Sequence, residues 1–383
     1  MKFLRIFHSL DPKVGGPVEA SKQNSAVLVE SGHQVTFLTL DPQDSPFLQD
    51  IPFPTIALGA RSSRYGYTPK MVPWLKKHAT QFDIILVQGI WLYQSWGTHQ
   101  GLKKLPTPYF VFTHGMLDPW FHIGNTSKYI KKCIYWFLRE RKSLHSAKAV
   151  LFTTQTEMSV SKTSMPLSSF NGMVVPYGIR EPNDPTTVPP LNNWFPKLDL
   201  IGKRPLLFMS RIHPKKGCDD LIKAIAKVYP DHPELHLFIA GPDQDHWMEE
   251  LQTLSKDLKV EDAITWVGMA SGEKKLSLLH HCEAFILPSH QENFGIAVAE
   301  ALARGLPALI SNKVNTHLEI DECQAGWVSD DTPEGCESNL RNWLETTSQT
   351  IANYSYRSKR CFDEHFNLDK TINRFVETLK SQL

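Results

Sequence analysis

The sequence predicts two doubly wound α/β domains in tandem, and three observations predict them. The chain has 383 residues, too many for one ordinary core and suited to two domains of about 180 residues each. Short β-rich apolar runs alternate with amphipathic stretches along almost its whole length. That alternation breaks once, at 181–198, and then restarts.

In the first half the apolar runs are 3–10, 34–40, 82–90, 109–116, 149–154 and 173–178, with amphipathic segments such as 17–31 and 127–144 between them. Runs of this length separated by helices indicate a parallel sheet covered on both faces. The break, EPNDPTTVPPLNNWFPKL, carries five prolines, which exclude a continuous helix or a central strand. It is assigned as a linker at 181–198, after an N-terminal domain at 1–180. Runs at 205–212, 235–241, 264–269, 284–289 and 307–312 then define a second domain at 199–360. The end, 361–383, is helical. In it Phe366, Leu368, Ile372, Phe375, Val376 and Leu379 form an apolar stripe.

Composition narrows the class. Hydrophobic residues make up 41% and charged residues 21%, a globular profile. No run approaches the ~18 apolar residues of a membrane helix. The opening MKFLRIFHSLDPK reads as a first strand and lacks a secretory pattern, so a cytoplasmic location is expected. Six scattered cysteines without a C-x-x-C pair read as free thiols. The net charge of +1 hides an asymmetry: residues 1–180 carry 20 Lys and Arg against 10 Asp and Glu, and residues 181–383 carry 21 against 30. Either the basic half meets an anionic partner, such as a membrane surface or a phosphorylated acceptor, or the halves attract each other.

In open α/β sheets ligands bind beyond the carboxyl ends of the strands. The stretch ILPSHQENFGIAVAEALARGLPALIS (286–311) is informative on that ground. A strand is followed by a loop with Glu292 and by a helix opening near Gly295. The free N–H groups of Asn293, Phe294 and Gly295 suit a sugar hydroxyl or a phosphate. Glu300, about one and a half turns into the helix, leans back toward its start and can accept from two vicinal hydroxyls. In FMSRIHPKKGCDDLIKAI (208–225), Arg211 and Lys216 flank a turn after a strand, where two cations suit a diphosphate.

These stretches resemble glycosyltransferase family 4, retaining enzymes of the GT-B fold, in which two Rossmann-like domains face each other across a cleft. The family's G/S-R-x-x-x-x-K-G element matches Ser210 to Gly217. Its paired-glutamate element matches Glu292, Phe294, Gly295 and Glu300, and its E-A-x-A-x-G-x-P matches Glu300 to Pro307. The resemblance implies that Arg211 and Lys216 bind the donor diphosphate. Glu292 and the Asn293–Gly295 backbone would hold the sugar, and Glu300 the ribose. The base would lie between the strand ends near Gly241 and Val267. Asp243 and Asp245 form an Asp-x-Asp, but they are assigned to helix capping and the surface, with no metal expected.

In the N-terminal half Gly15 and Gly16, before a helix, resemble the family's phosphate-approaching glycine loop. His114 in FTHGMLDPW occupies the place of the family's sugar-contacting histidine, and Asp118 is expected to shape the turn before Pro119. The segment 127–142 places Lys128, Lys132, Tyr135, Arg139 and Lys142 on one face and Ile130, Cys133, Ile134 and Phe137 on the other. The apolar face is expected to pack on the core. The basic face, through Lys128, Lys132 and Arg139, would be solvated or meet a membrane surface or the acceptor. Tyr177 and Arg180 replace residues usual in the family at VPYGIREP. The closing helix is expected to return to the first domain.

The expected function is transfer of a hexosyl group from a nucleoside-diphosphate sugar, UDP-hexose first and GDP-mannose second. The expected acceptor is a saccharide or lipid-linked saccharide in polysaccharide assembly. No further cofactor and no nucleic-acid partner are expected. Peripheral contact with the inner face of the plasma membrane fits the basic half. Two alternatives stand beside this: a sugar-nucleotide epimerase of similar fold, and a non-catalytic nucleotide-sugar-binding subunit.

Overall fold

The computed structural model describes residues 1–14, 16–59, 64–122, 126–181, 187–243 and 246–383. They form two compact units, Met1–Arg180 with Leu368–Leu383, and Glu181–Asn367.

Among the described residues the first unit holds seven strands: β1 Lys2–Phe7, β2 Gln34–Thr39, β3 Thr55–Ala57, β4 Ile84–Gln88, β5 Tyr109–Phe112, β6 Ala149–Phe152 and β7 Gly172–Val174. All pair parallel in the order β3-β2-β1-β4-β5-β6-β7. Alternate side chains of the central strands feed two cores, as the period of two requires. Leu4, Ile6, Ile85 and Val87 pack with Met71 and Leu75 of the helix Met71–His78 on one face. Phe3, Phe7, Ile84 and Leu86 pack on the other with Val27 and Leu28 of the helix Gly16–Glu30.

The closing helix Leu368–Lys380 joins that second face through Leu368, Ile372, Phe375, Val376 and Leu379. Phe366, grouped with this stripe in the sequence, packs instead edge-on to Phe294 in the second unit. Arg180 makes a two-pronged contact with Glu30 (2.9 and 2.6 Å) and a third with Asp369 at 3.3 Å, tying the two helices together.

The second unit holds β8 Arg204–Met209, β9 Leu235–Ala240, β10 Ile264–Gly268, β11 Ala284–Leu287, β12 Ala308–Ser311 and β13 Gly326–Ser329. They pair parallel in the order β10-β9-β8-β11-β12-β13. In both sheets strand order reverses beside the first strand, between β1 and β4 and between β8 and β11, where doubly wound folds bind ligands. Residues 187–198 of the proline-rich stretch pack on this unit. Leu191 is buried, Phe195 lies 5.4 Å from Phe238, and the Pro189 carbonyl accepts from Ser277 Oγ at 2.6 Å.

One expectation is reversed. On the helix Thr126–Tyr135 and its continuation, Ile130, Ile134, Phe137 and Leu138 are exposed, at 54%, 55%, 42% and 62%. Lys132 instead lies over the Trp91 ring at 5.0 Å. Arg139 donates to the Tyr65 hydroxyl at 2.9 Å and lies over the Tyr65 and Tyr135 rings. The cause is what lies inside. Trp136 is fully buried, with its indole N–H on the Pro166 carbonyl at 2.9 Å. Glu140 is fully buried, accepting from Trp91 N–H at 3.1 Å and from Ser95 Oγ at 2.5 Å. A π-helical turn at Trp136–Glu140 connects them and shifts the helical phase. Lys128 is exposed. Among the described residues no helix is long and apolar enough to cross a membrane.

Candidate active site

Of the site residues named from sequence, Arg211, Gly241 and Glu292 in the second unit and His114 in the first lie in the segments that follow the carboxyl ends of strands. In the second unit β8 runs into Ser210 and Arg211, and Arg211 is exposed there. The turn Pro214–Lys216 follows, with His213 Nδ1 accepting from Lys215 N–H at 3.0 Å. Gly217 ends it with φ +67, and a Cβ there would lie 2.3 Å from the Pro288 carbonyl oxygen. This contact seats the Lys216 turn against the end of β11, so only glycine fits. Lys216 is 4% exposed and its ammonium is ion-paired with Glu292. Burial alone would push the Glu292 carboxyl up. The Lys216 charge and hydrogen bond, the charge of Lys215 and the Asn293 N–H outweigh it and hold the group below the usual carboxylate range.

The Glu292 loop is itself fixed by backbone pairing. Glu292 N–H donates to Lys313 O and Asn315 N–H to Glu292 O, both at 3.0 Å. Asn293 N–H donates to Glu292 Oε1 at 3.0 Å, so this amide is engaged rather than free as the sequence suggested. Phe294 is buried and Gly295 caps the helix Ile296–Ala303 with a left-handed backbone. On that helix Glu300 pairs with Lys275 at 2.6 Å, a partner the sequence reading missed. The signal available was only a Lys-Lys pair at 274–275, early in the helix after β10.

Gly241 follows β9. Its N–H donates to the Gly268 carbonyl at 2.8 Å, and a Cβ would lie 1.7 Å from the Ser210 carbonyl oxygen. Strand ends β8, β9 and β10 are therefore drawn together without side chains between them. Val267, in β10, accepts from Lys274 Nζ through its carbonyl at 2.8 Å. The Asp243 carboxylate accepts from Trp247 and Met248 N–H at 2.9 and 3.2 Å, so it caps the helix Met248–Asp257. Asp245 lies outside the described residues.

In the first unit Gly16 opens its helix, and Gly15 lies outside the described residues. His114 follows β5 with φ +48, a conformation rare for residues with a Cβ. Its Nε2 lies 2.9 Å from Gln88 Oε1 at the end of β4. Burial, aided by the Arg5 charge, pushes its pKa down to about 4. Arg5 is itself buried and hydrogen-bonded to Asn24, and burial lowers it to about 10, opposed by Tyr177. Tyr177 packs 6.3 Å from His114, ring to ring. Asp118 shapes the next turn by accepting from Trp120 N–H at 2.8 Å.

The His114 turn rests on a residue not foreseen, the buried Glu157. It accepts from Thr113 Oγ1 (2.8 Å), Gly115 N–H (2.7 Å), Thr153 N–H (2.8 Å) and Thr153 Oγ1 (2.9 Å). The signal was present as a T-x-x-E capping box, in which Thr154 accepts from Glu157 N–H at 3.1 Å.

The model for glycosyl transferases group 1 matches residues 192–360, and the glycosyl transferase 4-like domain matches 15–178. The chain belongs to glycosyltransferase family 4. The glycogen synthase of Mycobacterium tuberculosis is 25% identical to this glycosyltransferase over 317 residues, 77% of this chain and 67% of that one. The 2-deoxystreptamine N-acetyl-D-glucosaminyltransferase of Niallia circulans is 30% identical over 116 residues, and this alignment spans only 29% of that protein. The crystal structure of Anabaena HepE in complex with UDP-glucose superposes with a TM-score of 0.75 at 17% identity, covering 100% of both chains. The glycosyltransferase thus has the two-domain GT-B fold.

Proposed function

We propose that this glycosyltransferase is a retaining, metal-independent hexosyltransferase. Its donor is a nucleoside-diphosphate sugar, UDP-hexose in preference to GDP-mannose. Its acceptor is a saccharide or lipid-linked saccharide in polysaccharide assembly. The observation that carries the reading is the buried Lys216–Glu292 pair at the carboxyl ends of β8 and β11. A fixed cation there, with Arg211, would stabilise the departing diphosphate. Its carboxylate partner and the Gly295 helix start would hold sugar hydroxyls, and Glu300 the ribose. UDP-glucose bound to HepE, which shares the fold, supports a UDP-linked donor.

Retention is the reading that the engagement of the candidate groups in each unit supports. Glu292 is paired with Lys216, Glu300 with Lys275, and Asp118 with a backbone amide. His114, held down to about 4, is a weak base and suits contact with the sugar. In the proposed step the bond from the anomeric carbon to the phosphate oxygen breaks. The acceptor oxygen bonds to that carbon on the same face, and its proton passes to the leaving phosphate. The deciding experiment is NMR of the first product formed from an α-linked gluco- or galacto-configured donor: a small anomeric coupling constant supports the reading, and a large one refutes it. Donor incubated without acceptor tests the epimerase and binding-subunit alternatives.

Peripheral contact with an anionic membrane is part of the proposal, carried by the exposed apolar side chains and Lys128 rather than by Lys132 and Arg139. Exposed Ile130, Ile134, Phe137 and Leu138, flanked by exposed Lys128, Lys131 and Lys142, combine apolar and basic groups as interfacial helices do.

A further inference from the structure

Three irregular features of the first unit converge on one spot beyond the end of β4. Trp91 has φ +72, a rare conformation for a bulky residue. The π-helical turn Trp136–Glu140 faces it. Between them sits the buried Glu140, whose pKa burial pushes up to about 7. It holds the Trp91 N–H at 3.1 Å, and the Trp91 indole N–H donates to the Met116 carbonyl at 3.0 Å. Strained backbone and π-turns cluster at functional positions, and carboxyl strand ends are where such sheets bind ligands.

What this scaffold presents is a wall of rings with cations set on it. Tyr67 lies 4.9 Å from Tyr93, and Tyr65 lies 5.7 Å from Tyr93 and 5.9 Å from Tyr135. Trp91 lies 6.2 Å from Tyr135. Tyr67 is 42% exposed, and Trp91, Tyr65 and Tyr135 are half-buried. Lys132 stands over Trp91, and Arg139 donates to Tyr65. Glu140 is turned beneath Trp91 and engaged there. Aromatic faces receive the apolar faces of sugar rings, and a Lys–Arg pair receives an anion.

We propose that Trp91, Tyr65 and Tyr67 form a platform for the acceptor saccharide, and that Lys132 and Arg139 select an acceptor bearing a phosphate or a carboxylate. The proposal rests on the glycosyl-transfer reading and names the acceptor class for it. Trp91 and Tyr67 supply ring stacking. Lys132 and Arg139 supply charge-assisted hydrogen bonds to the anionic group.

The test is titration of the full chain with glucuronic acid, glucose 6-phosphate and methyl β-glucoside, followed by saturation-transfer NMR. Wild type should bind at least one anionic sugar about tenfold or more tighter than the neutral glycoside, the size of one charge-assisted hydrogen bond. Which anion binds tighter identifies the acceptor's charged group. Lys132→Gln or Arg139→Gln should erase the preference, and Trp91→Ala should weaken all three sugars. Tyr67→Ala, at an exposed ring, asks the same of the platform if Trp91→Ala fails to fold. Equal binding of neutral and anionic sugars overturns the proposal, as does undiminished binding of all three sugars by folded Trp91→Ala or by Tyr67→Ala. UDP and GDP are titrated in parallel: either bound with no sugar bound sinks the subsite alone, and neither bound sinks the parent reading.

Discussion

Lys216→Met separates the two jobs of the buried pair at the ends of β8 and β11. Lys216 is 4% exposed, and the Glu292 side chain is 22% exposed. Removing the ammonium leaves a carboxylate with little solvent, and breaking a buried pair costs about 3–5 kcal/mol. Partial access of Glu292 to water reduces this to about 2–3 kcal/mol. For a domain of this size each kcal/mol moves Tm by about 2–4 °C.

The pH dependence gives the sign. In wild type the Glu292 carboxyl is held below its unfolded value of about 4.3, so its contribution is present above that pH and is lost as pH falls through the folded pKa. Without Lys216, burial dominates and the folded value rises above the unfolded one. The variant then loses stability as pH rises from about 4.3 through the raised pKa. The gap between wild type and variant should be smaller at pH 4 than at pH 7, and it closes only as pH falls through the folded pKa of Glu292. Urea unfolding at both pH values measures it. Glu292→Gln placed in the Lys216→Met background should recover much of the loss at pH 7. A gap that does not change with pH, or no gap at all, would refute the reasoning.

Further outcomes are expected. Arg211→Ala should lower kcat by about 10²–10³ with the fold intact, since it removes charge from the leaving diphosphate; steady-state kinetics decide. EDTA should leave the rate unchanged, and strict dependence on Mn²⁺ or Mg²⁺ would overturn the metal-independent mechanism. Phe137→Asp with Leu138→Asp should weaken binding to phosphatidylglycerol vesicles about tenfold or more, because each buried apolar side chain contributes about 1.5–3 kcal/mol; co-sedimentation at low salt tests it, and no wild-type binding excludes the membrane contact. Because His114 is held down to about 4, the folded state refuses a proton that the unfolded state takes near pH 6.5. Stability should therefore fall by up to about 1.4 kcal/mol per pH unit as pH drops between those values, and His114→Gln should flatten that slope.

The sequence reading was strongest where burial is continuous. β4 and β9 are buried along their whole length, so their apolar runs stand out without alternation. β3 and β13 are three and four residues long and only half-buried, and they left no run to find. At the site, glycines and charges near strand ends were legible because their chain positions locate them. The Lys275–Glu300 pair joins segments 25 residues apart, and nothing in either segment names the other. The helix from Thr126 misled for a physical reason. Its periodicity assigned Ile130, Ile134 and Phe137 to the core. The interior accepts Trp136 and Glu140 instead, because Trp91, Ser95 and Pro166 supply their hydrogen bonds.

The helix Leu368–Lys380 lies in the first unit although the whole second unit precedes it in the chain. Translation runs from the N-terminus, and domains generally fold in that order as they emerge. Here the earlier-made of the two units lacks Leu368, Ile372, Phe375, Val376 and Leu379 until the second unit has been made. Its β1–β2 face stays partly uncovered while the second unit is made, and that later unit has all its own residues first. Maturation of the N-terminal unit is thereby coupled to synthesis of the chain through Leu379. A nascent chain stalled before Leu368 should expose Phe3, Phe7 and Phe37 to chaperones and proteases, and supplying residues 361–383 as a separate peptide should suppress that exposure.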